Sequence, residues 1–552
     1  HRNLRPPTMT AMATTPRTTP AEISKQIKSL IKEVPEIRAD ATRLDELRQV
    51  YARLEAADEL QFGRGTSENV VTQKWRSFLL KHHKTMVAQL CERVTLGRHT
   101  AVRCLWGVIA KSPILSKNGM YKHVNADLLQ KWLRAMMRQD AEEMDRAMRH
   151  MVESEFLRQY RDVQYYALGC ITRLANENYQ NRNDTSSTQQ AAKLLELLMM
   201  IPVPTSSEDI TNGGYLCPLP KDAAPDEEDE EERGDEESDS DDDEEEVDGS
   251  DDDEEEAPRR PAKRQKKSNP KFAFQNVKSF QREYQKAWLA VLKLSLPISH
   301  LKRALNFLPN DVLMNVPSPL RFSDFFILAF SDHGSGVVGV LALNGLFMLI
   351  TDHGLEYPDF YKQLYRLISP RVLYAKYRVR FFTLLTNCLT LNEMLPAHLV
   401  AAFAKRLCRA ALSGPPSGAL FVLALVSNLL RKHPECSGLV HRKEADEVED
   451  SFLPNENDPV ESRALQSSLW ELAVLERHYH PAVVTLAKSV GRPEELKAPM
   501  HDMDAFIGHT YKDLFDQERK KKTKTALAFD EPTGLFTKDD MFSTILKTRG
   551  DQ

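Results

Sequence analysis

Gly334-Ser335-Gly336-Val337-Val338-Gly339 has the G-x-G-x-x-G spacing with which a dinucleotide-binding turn lays its backbone against a pyrophosphate, and the apolar Phe325–Phe330 stands where the preceding strand belongs. The rest of that device is missing. A second strand ending in an acidic residue for the ribose should follow, yet residues 352–360 read Asp-His-Gly-Leu-Glu-Tyr-Pro-Asp-Phe, polar and broken by proline. The stretch is therefore read as a glycine-rich turn between two helices, where missing Cβ atoms permit positive φ and close packing. His478-Tyr479-His480 offers two imidazoles to a metal, but no carboxylate or thiolate cluster stands near them in sequence to complete a site. A helix-to-helix corner is expected there, with Pro481 in the first turn of the next helix. No G-x-x-x-x-G-K-S/T, G-x-S-x-G or H-E-x-x-H occurs. No catalytic, metal-ligating or cofactor-binding residue can be nominated, and the chain is read as a non-enzyme with no cofactor.

Three further groups of residues have binding chemistry. Lys376, Arg378 and Arg380, after Arg371 and interleaved with Tyr374, Tyr377, Phe381 and Phe382, combine phosphate-seeking cations with aromatic rings on which bases stack, as in RNA contact. The competing and preferred reading is an amphipathic helix whose Tyr377, Phe381, Leu384, Leu385 and Cys388 fill a core. Lys263, Arg264, Lys266 and Lys267, shortly after Arg259-Arg260 and beside prolines, have the density of a nuclear address or, equally, of a solvated charge run. A second basic run is Arg519–Lys524. Beyond Pro493 the chain turns polar but carries Phe506, Tyr511, Leu514, Phe515, Phe529 and Phe536, anchors suited to a tail laid in a groove of its own solenoid or of a partner.

Charge patterning sets the frame for these groups. Residues 226–256 hold 24 Asp or Glu and one Arg, and residues 259–271 answer with seven Lys or Arg. The formal net charge of −6 averages over this contrast: outside the acidic block 73 basic residues face 56 acidic ones, a net +17. A basic remainder suggests a polyanionic environment, and a block of like charge is expected to be disordered. Ser238, Ser240 and Ser250 are followed by acidic residues, the setting an acid-directed kinase uses. The seven cysteines are widely spaced with no C-x-x-C pair, which favours reduced thiols over a disulfide framework or zinc ribbon. The longest apolar runs, Val337–Ile350 and Ala419–Leu430, the latter broken by Ser427 and Asn428, fall short of the ~20 residues a bilayer requires. They are read as core helices, no membrane association is expected, and no apolar run of a secretory signal follows the first basic residues.

Helical periodicity runs through most of the chain, with punctuation every ten to twenty residues. Helices are expected over Pro20–Lys32, Ala39–Ala57, Glu68–Thr95, Thr100–Ala110, Asn125–Ser154, Glu155–Glu177 and Thr188–Met200. In the second half Pro358 opens a helix bearing Phe360, Tyr361, Leu364, Leu367 and Ile368, and Ser369-Pro370 begins the next. The helix carrying Leu399, Val400, Phe403 and Leu407 should end at Gly414-Pro415-Pro416, with glycine in the left-handed C′ position. The helix from Gly418 should stop at His433-Pro434. Asp458-Pro459-Val460-Glu461 reads as a capped helix start. The fold class is all-α, a helical-repeat α-solenoid of HEAT/armadillo-like kind, in two blocks separated by a disordered acidic insert. The expected division is a disordered 1–20, a helical-repeat region 21–205, an acidic then basic linker 206–270, a helical domain 271–492 and an extended tail 493–552.

Several ordered stretches of that second domain carry a resemblance: Leu341–Phe347, Tyr357–Tyr361 with Leu364-Tyr365, Ala402–Leu407, Asn428-Leu429-Leu430 with His433-Pro434, and Ser467–Leu472 with His478–Pro481. Together, over roughly residues 271–490, they resemble the CCAAT-binding-factor domain of the Noc nucleolar proteins. Residues 332–336 and 389–393 depart from the family pattern, both in expected loops. The resemblance implies a nucleolar, hence nuclear, scaffold of small-ribosomal-subunit assembly, working in the small-subunit processome and in pre-rRNA processing. It implies a heterodimer with nucleolar protein 14, alongside other pre-ribosome factors and with pre-rRNA within reach. The alternative is a nuclear helical-repeat adaptor, a transcription cofactor or a transport or histone-binding protein, that offers its acidic insert to basic partners. Against transcriptional activation, residues 226–256 lack the interspersed aromatics and leucines such segments use.

Overall fold

The computed structural model describes residues 24–25, 27–29, 70–111, 114–115, 122–138, 146–180, 187–211, 213–217, 272–334, 336–390, 392, 394–441, 450–490, 492 and 498–521. The acidic block, Ser238, Ser240, Ser250, the address candidates Lys263, Arg264, Lys266 and Lys267, the tail residues Phe529 and Phe536, and the expected helix Ala39–Ala57 lie outside the described residues.

The chain is all-α in the helical-repeat manner, with one two-residue antiparallel pairing of Ile114–Leu115 and Lys122–His123. Before the acidic block come α1 (Val70–Thr95), α2 (His99–Lys111), α3 (Ala126–Met137), α4 (Arg146–Met151), α5 (Arg161–Gln180), α6 (Ser187–Met199) and α7 (Ser207–Thr211). After it come α8 (Val277–Leu292), α9 (Ile298–Phe307), α10 (Ser323–His333), α11 (Val337–His353), α12 (Phe360–Leu367), α13 (Pro370–Tyr374) and α14 (Arg378–Thr390). The chain continues with α15 (Ala397–Leu412), α16 (Pro416–Lys432), α17 (Glu471–Leu475), α18 (Pro481–Val490), α19 (Asp504–Ile507) and α20 (Tyr511–Lys520).

Local chemistry explains the starts. The Asn125 side chain accepts the Leu128 N–H and the Asn276 side chain accepts the Lys278 N–H, each satisfying a donor that the first turn leaves orphaned. The single helix expected over Asn125–Ser154 is instead α3 and α4, and no break falls at Glu155: α4 runs on through a π-helical turn, Val152–Leu157.

Packing divides the chain into two compact units, His1–Gly334 with Leu341–Glu356, and Ser335–Val340 with Tyr357–Gln552. This division and the one expected at the acidic block fall at different places. In the first unit α8 packs on α5 and α6, and α9 on α6, so helices from both sides of the block share one core. Trp106, Trp132 and Phe156 meet within it, with Trp106 4.8 Å from Phe156 and 5.6 Å from Trp132 between ring centres. Glu196 on α6, almost wholly buried, lies 2.8 Å from Arg149 on α4 and 2.9 Å from Arg303 on α9, with His300 at 3.4 Å.

The two edges of the undescribed stretch 218–271 are fixed to the same place. Buried Asp162, in the first turn of α5, accepts the N–H groups of Leu216 and Cys217 at 3.0 Å, and Arg161 donates its backbone N–H to Gly214. Burial raises the Asp162 pKa, and these backbone donors oppose the rise. On the far side Phe274 is buried against Tyr165 and Tyr166 of α5, and its ring lies 5.8 Å from that of Tyr215. Residues 215 and 274 thus touch across the stretch that separates them in sequence.

In the second unit α16 is the central element. Every residue from Pro416 to Leu430 is buried, as expected of a helix apolar all round. It packs against α14, α15, α18 and α19, and it begins at Pro415-Pro416 and ends at His433-Pro434 as the prolines require. Gly414 does not take the left-handed conformation; a Cβ there would lie 2.8 Å from Leu373 Cδ1 and 3.3 Å from the Ala410 carbonyl oxygen, so a larger residue would have to displace the Leu373 side chain. The helix expected from Pro459 is absent. Asp458 Oδ1 accepts the Val460 N–H, the other oxygen pairs with Lys362 at 3.0 Å, and the chain runs in turns to a short 3-10 segment, Ala464–Gln466. All seven cysteines are free thiols, six of them buried.

Candidate protein-binding site

The G-x-G-x-x-G stretch joins α10 to α11, with Gly336 at φ +81°, and residues 325–330 are helical where a nucleotide site needs a strand. His478-Tyr479-His480 forms the corner between α17 and α18, held by the His480 N–H donating to His478 Nδ1 at 3.0 Å. Among the described residues no group of three His, Cys, Asp or Glu is placed to hold a metal ion, and no helix is long and apolar enough to cross a membrane.

The second unit does bring together two sequence stretches singled out above, Ala402–Leu407 and Ser467–Leu472. Lys405 on α15 is fully buried and donates to the Ser468 carbonyl at 2.6 Å, while its Nζ stands 3.0 Å from both Glu471 Oε1 and Asp450 Oδ2. The ammonium also faces the rings of Trp470 at 5.2 Å and Phe452 at 5.7 Å, beside Arg409 at 5.8 and 5.6 Å. A buried lysine is tolerable only when its charge is met this fully. Partial burial alone would raise the Asp450 pKa, but donors from Ser467, Trp470 Nε1 and Lys405 hold the carboxyl well below the usual carboxylate range. Arg406 next door stacks on Tyr365 at 4.2 Å and donates to the Glu456 carbonyl at 2.9 Å. Two neighbouring cations of α15 therefore staple the 450–470 loop, irregular apart from its short 3-10 segment, onto the solenoid.

A peptide groove lies along α14 and α16. Asn428, nearly fully buried, donates from Nδ2 to the His501 carbonyl at 2.8 Å and accepts the His501 N–H on Oδ1 at 2.7 Å. One side chain thus offers a backbone the donor–acceptor pair that a neighbouring strand would offer. Arg431 donates to the Pro499 carbonyl and Arg378 to the His509 carbonyl, the latter at 2.8 Å. Three side chains of the groove hold the segment 499–509 through its backbone. Met503 is buried, and Phe506 is half-buried between the rings of His501 and His509.

The tail expected to be extended thus docks on its own unit over residues 499–509 and includes two short helices, α19 and α20, the second capped by Thr510 and Asp513. Of the anchors, Leu514 is buried, whereas Tyr511 and Phe515 are exposed. Met503 lies outside the aromatic and leucine pattern that marks the other anchors in the sequence. Asn428 had left a signal: it interrupts an apolar run, and a polar group inside such a run must find a partner. The Phe381, Phe382, Leu384, Leu385 and Cys388 face of α14 is buried, as the amphipathic reading requires. Arg378 serves the tail, Tyr377 is half-buried, and Lys376 and Arg380 are exposed.

The unit is thus a helical scaffold with a stapled loop and a groove that grips backbone. Residues 339–487 match the CBF/Mak21 family, and this stretch is a CBF/Mak21-family domain. It spans Lys405, Asp450 and Glu471 as well as Arg378, Asn428 and Arg431, but stops short of the tail that the last three hold. The chain is similar to the nucleolar complex protein 4 homolog of Mus musculus, 42% identical over half of this chain and 53% of that protein. It is also similar to the homolog of Homo sapiens, 45% identical over 45% of this chain and 47% of that one. Nucleolar complex protein 4 of Saccharomyces cerevisiae is 38% identical over 49% of this chain and 53% of its own length. The chain spans about half the length of the curated relatives it matches.

Proposed function

We propose that the chain is a non-catalytic nucleolar scaffold in ribosome biogenesis, serving the small-subunit processome and pre-rRNA processing in a heterodimer with nucleolar protein 14. The names of its relatives support the nucleolar setting. The observation that carries the scaffold reading is the Asn428–Arg431–Arg378 grip on residues 499–509, a device that recognises main-chain groups and makes or breaks no covalent bond. Function then lies in occupancy: helical surfaces hold segments of other assembly factors in order.

Affinity purification of the full chain from nuclei tests this. Recovery of one dominant protein at equal amount, together with precursor small-subunit rRNA, is the expected result. Recovery of the chain with neither would end the proposal.

A further inference from the structure

We propose that the second unit carries a stacking surface for single-stranded nucleic acid, built from the exposed rings of Tyr374, Tyr479 and Tyr511 around Arg378, with Lys376, Arg380 and Lys512 supplying phosphate contacts. This goes beyond the scaffold reading and does not depend on it.

The three tyrosines come from three elements far apart in sequence: the end of α13, the α17–α18 corner and the first turn of α20. Arg378, four residues after Tyr374, donates to the His509 carbonyl two residues before Tyr511, and Tyr374, Tyr479 and Arg378 all act electrostatically on the Tyr511 phenol. All three rings are exposed, Tyr374 by 57%, Tyr479 by 77% and Tyr511 by 53%. Each is also held. Tyr374 donates its hydroxyl to the Ser413 carbonyl at 2.9 Å, and the Tyr479 ring stacks on His478 at 4.3 Å and 28°. Tyr511 follows Thr510, whose side chain caps α20, and Arg378 fixes the adjoining backbone at His509. Rigid aromatic platforms at low entropic cost are what base stacking needs.

Charge selects the partner. Arg371, Lys376 and Arg380 are exposed beside Tyr374, and Lys512 beside Tyr511. The carboxylates of the same helix are committed elsewhere: Asp513 to the Thr510 cap, Asp516 to Arg519, Glu518 to Lys521. A protein interface would centre on a contiguous apolar core depleted of charge. Here cations alternate with rings, which matches a strand that presents phosphates and bases in turn.

The test is fluorescence anisotropy of the full chain with a labelled fifteen-nucleotide oligouridine RNA, its DNA counterpart and an RNA duplex of equal length. The single strands should bind more tightly than the duplex, and the RNA–DNA pair reads whether the 2′-hydroxyl is used. Tyr479→Ala should weaken single-strand binding about tenfold, and Tyr479→Phe, which keeps the ring, should restore it. Lys376→Ala with Arg380→Ala should lower the slope of log affinity against log salt by about 1.4. Equal binding of single strand and duplex, no binding, or an unchanged affinity in a Tyr479→Ala protein that melts like wild type would overturn the proposal. So would nuclease-resistant loss of a protein partner by Tyr479→Ala while RNA affinity stays constant, which would make the surface a protein site.

Discussion

Lys405 shows what a single residue does in this fold. Its ammonium is out of water and is met by two carboxylates and a carbonyl drawn from the 450–470 loop and the start of α17, which the chain reaches only 45 residues or more later. Removing the cation alone strands Glu471, so Lys405→Met should cost about 3 to 5 kcal/mol, read as a lowered urea midpoint. Pairing it with Glu471→Gln should recover part of the loss, because the orphaned charge goes too. Asp450 carries the pH dependence. Its native pKa is depressed, so its stabilisation is full above the unfolded value near 3.8 and is lost as pH falls below that. The midpoint difference between wild type and Asp450→Asn should therefore be larger at pH 6 than at pH 3; a constant difference would show that Asp450 does not act through its charge. Lys405 was legible as part of a family-like stretch, but its partners were not, because no local periodicity reports a contact between a helix and a stretch so far along the chain.

At the scale of elements, the proline-bounded helices were the legible part. Pro370 and Pro481 each open a helix where the missing N–H costs nothing, α16 begins at Pro416, slightly before the expected Gly418, and Pro434 follows its end. The capped start expected at Asp458 failed for a physical reason. Its carboxylate is divided between the Val460 N–H and Lys362, and Arg406 captures the nearby Glu456 carbonyl, so the loop gains more from α12 and α15 than from coiling on itself. The tail groove was legible only through Asn428 and the anchors Phe506 and Leu514, because its remaining contacts are directed at backbone, which leaves no side-chain pattern. Asn428→Ala would leave the His501 N–H and carbonyl without their partner, a local loss of about 1 to 3 kcal/mol. Hydrogen exchange should then speed selectively at residues 499–509 while the α15 and α16 amides stay protected. Uniform acceleration across the unit would mean that Asn428 supports the core and not the tail.

For the whole molecule, charge and packing partition the chain differently. The composition break at 226–271 is the sharpest feature of the sequence, yet the helices on either side of it share the core around α5, α6 and α8. Composition marks what cannot enter a core; it says nothing of whether the chain comes back to the core it left. That return is written in the Phe274 ring against Tyr165, Tyr166 and Tyr215, contacts that carry no sequence period. Deleting residues 226–256 should therefore leave the thermal transition of the first unit cooperative, with a change of under about 1 kcal/mol from the shorter loop closure. Two separate transitions after deletion would show that the block joins independent domains.

The touching of Tyr215 and Phe274 has a further meaning for how this protein can be made. Covalent continuity through the acidic stretch adds little to a core that its flanking helices already complete, so the chain should behave as two complementing polypeptides. Residues 1–225 and 257–552, expressed together from separate genes, should assemble into one particle that elutes and melts much as the intact chain does.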